Sequence, residues 1–335
     1  MKHKTTVILL LMLVVCCVAS LFLGVIKLGS ASTAYSPGQQ IEIILISRLP
    51  RLLAILCTGI GMSVAGLIMQ QLCMNKFVSP TTGATISSAQ LGILLALVFM
   101  PASTIWSRAI FSAVCAIAGT WIFVFFIQRI QFKDPVMVPL VGIMFGNVLG
   151  GITNFIAYKW EVTQQLTTYF VGSFSLIIQG DYELVWLAVP LVILAFLFAN
   201  YFNIVGMGRD FSQNLGVNYN LVLFLGLTIS AMITASVVTV VGQISYIGLI
   251  IPNIVAMFKG DRIKGTLVDT ALLGALFVLV CDMIARWVIR PYELPIELIV
   301  GIIGSLLFIA MLIYKLKHGK KAIRLTRAKE GSCCA

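Results

Sequence analysis

The sequence predicts an all-α integral membrane protein, one domain over residues 1–335 with about ten transmembrane helices and both termini in the cytoplasm. Three observations predict it. Of 335 residues, 60% are hydrophobic and only 10% are charged, with a mean hydropathy of +1.04; an ordinary soluble domain carries about 25% charged residues. Apolar stretches recur along the whole chain, most of them near the roughly 20 residues that a helix needs to cross the hydrocarbon core. Lysine and arginine cluster in alternate connections and in the tail, the pattern that sets orientation in a bilayer.

The apolar stretches fall near 7–26, 43–72, 88–100, 109–127, 136–158, 184–202, 221–241, 247–257, 268–289 and 298–316. A backbone in lipid must satisfy its own hydrogen bonds, so each stretch is read as a helix. The first follows Lys2, His3 and Lys4 and looks like a secretory signal, with small residues for cleavage at Ser30-Ala31-Ser32-Thr33-Ala34. Its apolar run exceeds the usual 7 to 15 residues or so of such a signal, so an uncleaved first span is expected. The eighth stretch is short and contains Pro252, and charge decides its status. With ten alternating spans, 16 of the 23 lysines and arginines lie inside. Fusing spans seven and eight would move Lys259, Arg262, Lys264 and the basic tail, 317–335, to the outside.

The same distribution excludes a nucleic-acid surface, because the net charge of +11 is divided among loops and tail. The eight cysteines form no CxxC pair, and the only histidines, His3 and His318, lie in the terminal tails. No catalytic or metal-ligating residue is expected, and no directly bound cofactor.

Several motifs carry more than hydropathy. Ser47-Arg48-Leu49-Pro50-Arg51-Leu52 opens the second span on the outer side and sets two cations on one helix face, as membrane anchors or as a docking site for an acidic partner. Gln70 and Gln71 close that span, where helix packing is the simplest reading. Gly142, Gly146 and Gly150 recur every four residues beside Asn147 and Asn154, fitted to close helix packing or to lining a wide path. Residues 164–176 are expected to form a short helix at an outer mouth, flanked by Glu161, Asp181 and Glu183. On the cytoplasmic side, Gly206 and Gly208 stop one helix, Asp210 with Gln213 suggests a capping box, and Gly216 ends the new helix. This short segment is the right size to dock into a groove on a cytoplasmic partner. The glycines and proline of 242–253 imply a broken helix, and Asp282 and Arg286, four apart in span nine, an intrahelical ion pair.

Taken in order, Arg48-Leu49-Pro50-Arg51, the segment 70–80, residues 208–216, Gly248-Leu249-Ile250-Ile251-Pro252, Asp282 with Arg286, and Glu293-Leu294-Pro295 resemble the type II ABC importer permeases for iron-siderophores, haem and cobalamin. The resemblance covers about residues 40–315. It implies a permease subunit of a bacterial cytoplasmic (inner) membrane importer, itself no enzyme, with ATP used by separate cytoplasmic ATPase subunits. It further implies an extracytoplasmic binding protein and a second permease subunit. The ATPase-coupling loop would comprise Gly206, Gly208, Arg209, Asp210, Phe211, Ser212, Gln213, Leu215 and Gly216. Docking of the binding protein would fall to Arg48, Arg51 and Arg286. Three departures stand out: Asn75-Lys76-Phe77-Val78 replaces Asn-Pro-Leu-Ala, Pro252-Asn253 replaces Pro-His, and Arg209 stands where an acidic residue is common. The Asn-Lys-Phe-Val-Ser-Pro form is similar to a ferric-siderophore branch, often for catecholates, whose members pair with a paralogous permease. A heterodimer is therefore expected ahead of a homodimer, and a siderophore ahead of haem or cobalamin.

A secondary transporter is the competing class. It needs ionisable groups to couple ions, and Asp282 is the only acid deep within a span, already facing Arg286. The chain also lacks a P-loop, since 260–266 has no lysine before Thr266. Its energy is expected from a partner.

Overall fold

The computed structural model describes residues 2–22, 42, 44–100, 102, 104–129, 137–175, 177, 180, 182–260, 263–289 and 292–331, with side chains up to 314 except those of 2, 3 and 264. The candidate cleavage stretch 30–34, Lys133, Asp181, Arg262, Arg290, Cys333 and Cys334 lie outside the described residues, as does the far end of the first apolar run.

The helices are α1 (Lys2–Phe22), α2 (Leu49–Leu72, entered through a π turn at Ile44–Arg48), α3 (Thr85–Phe99), α4 (Ile105–Arg129), α5 (Met137–Lys159), α6 (Thr163–Phe170), α7 (Ala188–Leu197, entered through a 3-10 turn at Glu183–Leu187), α8 (Ala199–Val205), α9 (Arg209–Asn214), α10 (Tyr219–Val241), α11 (Ile247–Lys259), α12 (Ile263–Trp287) and α13 (Ile296–Gly331). Among the described residues, seven helices are long and apolar enough to cross a membrane, and α7 with its 3-10 turn reaches that length only together with α8, at a bend of 61°. The helices α3 and α11 are apolar but shorter. Each apolar stretch of the sequence thus coincides with a helix, and α13 runs on through the basic tail to Gly331.

Helix α2 is the axis of the bundle, with most of its residues buried, whereas more than half of the apolar residues of α1 are exposed. Its small residues explain why neighbours close on it. A Cβ at Gly66 would stand 1.9 Å from the Gly248 carbonyl oxygen, so α11 rests directly on the α2 backbone. Gly66 lies six residues before the end of α2, about 9 Å of helix rise, and Gly248 is the second residue of α11. Helix α11 therefore begins inside the bundle, and its 13 residues rise only about 20 Å.

Residues 242–246 cover the remaining depth without regular helix, a course permitted in lipid only where protein surrounds the backbone. Gln243 N–H donates to Phe170 O at 3.0 Å, and Ser173 N–H donates to Val241 O at 2.9 Å. The Gln243 side-chain oxygen accepts from Gln90 Nε2 at 2.9 Å. These bonds also correct the expected extent of the outer short helix. It ends at Phe170 rather than continuing to 176, because Val171 turns extended to pair with Gln243.

Pro252 has no N–H, which deprives the Gly248 carbonyl of its helical donor. Gln70 Nε2 supplies one, at 3.2 Å from Gly248 O and 3.2 Å from Leu249 O. Asn253 Nδ2 donates to Lys76 O and to Leu249 O, both at 2.7 Å, fixing the loop after α2 against α11. Lys259 closes α11 beside Asp269 and donates to Thr6 Oγ1 at 3.2 Å, so the end of α11 and the start of α1 share one end of the bundle. That placement agrees with α11 as a separate span, as the charge pattern requires.

A Gly66→Ala substitution is expected to lower the thermal midpoint of the purified protein, because overpacking costs about 1–3 kcal/mol. Gly150→Ala, at a position where a Cβ meets nothing within 4 Å, is the matched control and should leave the midpoint unchanged. Equal midpoints for both variants would show that the α2–α11 contact tolerates separation.

Candidate functional site

At the end assigned to the cytoplasm, α9 is a six-residue helix held between two glycines with positive φ, Gly208 at 110° and Gly216 at 75°. Such dihedrals are open to glycine and costly for side chains. Gly208 is the N-cap, with no side-chain cap, so the expected Asp210–Gln213 capping box does not form; the helix begins two residues earlier than that box requires. Asp210 lies instead in the first turn, where a carboxylate favours the helix dipole. At the far end Val217 N–H donates to Ser212 O at 3.0 Å and Gly216 N–H to Gln213 O at 2.9 Å, a Schellman closure.

Ser212 is fully buried beneath this helix, its Oγ donating to Gly208 O at 2.7 Å and within 3.1 Å of Ile204 O. Gln71 at the end of α2 packs so closely on Gly206 that a Cβ there would stand 2.2 Å from its Nε2. The segment is therefore locked to α8 and α2. Its outward face is apolar: Met207, Phe211 and Leu215 recur every four residues and are 63%, 47% and 56% exposed. Arg209, Asp210 and Gln213 surround them, also exposed. Met207 is absent from the residues singled out by sequence, although its spacing to Phe211 and Leu215 is visible there.

The α5 glycines separate into two roles. Gly142 and Gly146 are buried, and a Cβ on Gly142 would stand 1.8 Å from Thr82 O, so both serve packing against the loop before α3 and α3 itself. Gly150 faces open space, and Asn147 is exposed. Asn147, Gly151, Asn154 and Tyr158 share one exposed helix face. An amide facing hydrocarbon lacks the partners it has in water; this stripe fits a polar path or another protein surface.

At the opposite end, the three arginines form an internal cluster. Arg51 Nη2 lies 2.7 Å from Asp282 Oδ1, Arg51 Nη1 2.7 Å from Glu293 Oε2, and Arg286 Nη2 2.7 Å from Asp282 Oδ2. The i,i+4 pair anticipated from sequence is thus half of a quartet of two cations and two carboxylates. The Arg51 and Arg286 side chains are only 14% and 6% exposed, so they are not free outward-facing cations; the apposed carboxylates and the end of α1 draw them inward. Arg286 donates to Ser20 O and Oγ, and half-buried Arg48 donates to Leu21 O, so guanidiniums satisfy the last carbonyls of α1. Outside the spans, burial pushes the Cys73 thiol up to about 12, and it stays neutral at ordinary pH.

An α-helical chain of several spans, with one short helix that begins inside the bundle and a rigid apolar knob at one end, has the form of a membrane permease. The chain belongs to the FecCD transport family, whose model matches residues 8–314. It is 45% identical over 296 residues to the petrobactin import system permease protein YclN of Bacillus subtilis (strain 168), covering 88% of this chain and 94% of that one. It is 37% identical over 302 residues to the petrobactin import system permease protein FatD of Bacillus anthracis, covering 90% and 88%. The ferric-anguibactin transport system permease protein FatD of Vibrio anguillarum is 37% identical over 270 residues, covering 81% and 86%. A solved metal-chelate type ABC transporter in an inward-facing conformation shares the fold, with a TM-score of 0.79 at 24% identity over 93% of this chain and 99% of that one.

Proposed function

We propose that this chain is the membrane-spanning permease subunit of an ATP-binding cassette importer that carries a ferric siderophore across the bacterial cytoplasmic membrane. The observation that carries the reading is its 45% identity, across 88% of the chain, to a petrobactin import permease. The α9 geometry supports it. Met207, Phe211 and Leu215 form a knob suited to a groove on a cytoplasmic ATPase subunit, and Gln71 against Gly206 joins that knob to α2. Hydrolysis belongs to the ATPase, and this chain transmits the motion.

A second permease subunit, a paralogue in this reading, completes the path, so the stripe from Asn147 to Tyr158 faces the passage rather than lipid. An extracytoplasmic binding protein docks at the outer end. There Arg48, Arg51 and Arg286 support the docking face from within, through the loop that holds Glu293, and steer by field more than by direct pairing. Proteoliposomes containing the permease pair, the ATPase and the binding protein should accumulate ferric petrobactin only with ATP. Equal accumulation driven by an ion gradient without ATPase would replace this reading with a secondary transporter.

A further inference from the structure

The break before α11 carries a line of neutral polar side chains on one face. Ile244 is buried, whereas Gln243 and Ser245 on either side of it are half-exposed, the alternation of extended backbone. Gln90 Nε2 on α3 donates to Gln243 Oε1 at 2.9 Å, and Gln243 Nε2 donates to Ser245 Oγ at 3.4 Å. The line lies at membrane depth. Gln90, itself half-exposed, is followed on α3 by Leu91 to Phe99, nine residues without a polar side chain, which place it about 13 Å of helix rise below the end of that helix. It also adjoins α5: Ser87, one turn before Gln90, is half-exposed, and a Cβ on Gly146 would stand 3.1 Å from its Oγ. The turn that returns the chain into α11 is strained. Tyr246 has a φ of 69°, a region costly for an aromatic residue, and it packs on Gly304 of α13, where an added Cβ would stand 3.1 Å from the Tyr246 Cβ.

Two half-exposed amides and a hydroxyl at this depth would forfeit hydrogen bonds if they faced hydrocarbon. Irregular backbone at the same depth is tolerated against protein or beside a water-filled cavity. Both conditions are met when the line faces the passage beside the α5 stripe, with Tyr246 and Gly304 bracing the turn. Amides and hydroxyls donate and accept without net charge, so they hold an oxygen-rich solute and release it again, as conduction requires. Iron(III) is held by hard oxygen ligands, and the outer lone pairs of those oxygens accept hydrogen bonds. We propose that Gln90, Gln243 and Ser245 are cargo-contacting, specificity-determining residues: the chelate's oxygens replace Gln243 Oε1 as acceptors for Gln90 and take the Gln243 and Ser245 donors as the cargo passes. The proposal rests on the import reading above and deepens it, by placing a neutral contact where α11 begins.

The test is labelling of Ser245→Cys by a membrane-impermeant, positively charged methanethiosulfonate in the full transporter, permease pair with ATPase, in nanodiscs of phosphatidylcholine. Wild type, with its own cysteines, sets the background. Ser245→Cys should be modified above that background, and both ferric tris-catecholate and a neutral ferric trihydroxamate should slow the modification. Adding Gln243→Glu should raise the half-protecting concentration of the trianionic tris-catecholate by about tenfold, the effect of a like charge a few ångströms away in partly wet protein, and leave that of the neutral chelate within about twofold. A glutamine that merely braces the break would shift both equally, or neither, and that result overturns the proposal. If Gln243→Glu does not yield a monodisperse protein, Gln90→Glu on α3 makes the same comparison. No modification of Ser245→Cys with or without ATP, or modification that neither chelate slows, also overturns it; the first of these assigns the line to a contact between protein chains. Wild-type proteoliposomes that move neither chelate with ATP would sink the import reading, while charge-dependent protection would leave the contact standing.

Discussion

Phe211→Glu should reduce ATP-driven iron uptake to background while the permease keeps its elution profile and thermal midpoint. Phe211 is 47% exposed at the centre of the α9 knob, so the substitution disturbs nothing inside the bundle. A carboxylate forced into an apolar socket costs several kcal/mol of effective desolvation, and about 1.4 kcal/mol is already tenfold in affinity. Ser212→Pro reaches the same end from within. It removes the N–H donated to Gly208 O at 3.1 Å and the buried hydroxyl's bonds to Gly208 and Ile204, and a proline inside a helix costs about 3 kcal/mol. Uptake should be read in proteoliposomes, and ATPase stimulation by the permease in the same vesicles. Unchanged uptake in both variants would reduce α9 to a connector.

Asp282→Ala should destabilise the protein by about 3–5 kcal/mol, the range for breaking a buried ion pair by removing one partner. Its side chain is 1% exposed and neutralises two guanidiniums, Arg51 and Arg286, that cannot reach water without opening the α2–α12 contact. Glu293, 20% exposed, is less demanding, and Glu293→Gln should cost below about 1 kcal/mol. Replacing Asp282 and Arg286 together by leucine should recover much of the loss, because the penalty lies in the stranded charge. Thermal midpoints by size-exclusion recovery decide the matter; a double variant no better than Asp282→Ala would mean that the quartet contributes through its hydrogen bonds rather than its charge balance.

The sequence showed the spans and their alternation because both depend on composition and loop charge. It also showed the α9 segment, since glycine at 208 and 216 marks positive φ. What it could not show is contact between distant residues. Arg51 stands 231 residues from Asp282 and 242 from Glu293, so an arginine on an outer helix face looked free. Gln70 looked like an ordinary helix-end amide, although Pro252 implies an orphan carbonyl four residues upstream that some donor must satisfy. Gly142, Gly146 and Gly150 are equivalent in spacing, yet only the third faces open space. The capping box failed for a local reason: Asp210 and Gly208 compete for the start of one short helix, and glycine adopts the dihedral that the turn imposes.

Helix α1 buries little of its surface, and polar contacts hold it at both ends: Thr6 to Asp269 at one, Ser20 to Arg286 at the other, separated by 263 and 266 residues of chain. A ribosome adds about 5–20 residues per second, so α1 precedes Asp269 and Arg286 by on the order of tens of seconds, with Arg48 alone following closely to meet the Leu21 carbonyl. During biogenesis α1 is a helix in waiting, and the emergence of α12 completes it. A chain truncated before α12 keeps Lys259 for Thr6 and Arg48 for the Leu21 carbonyl but lacks Asp269 and Arg286, and one deleted of α1 takes the Thr6 and Ser20 contacts from those two side chains.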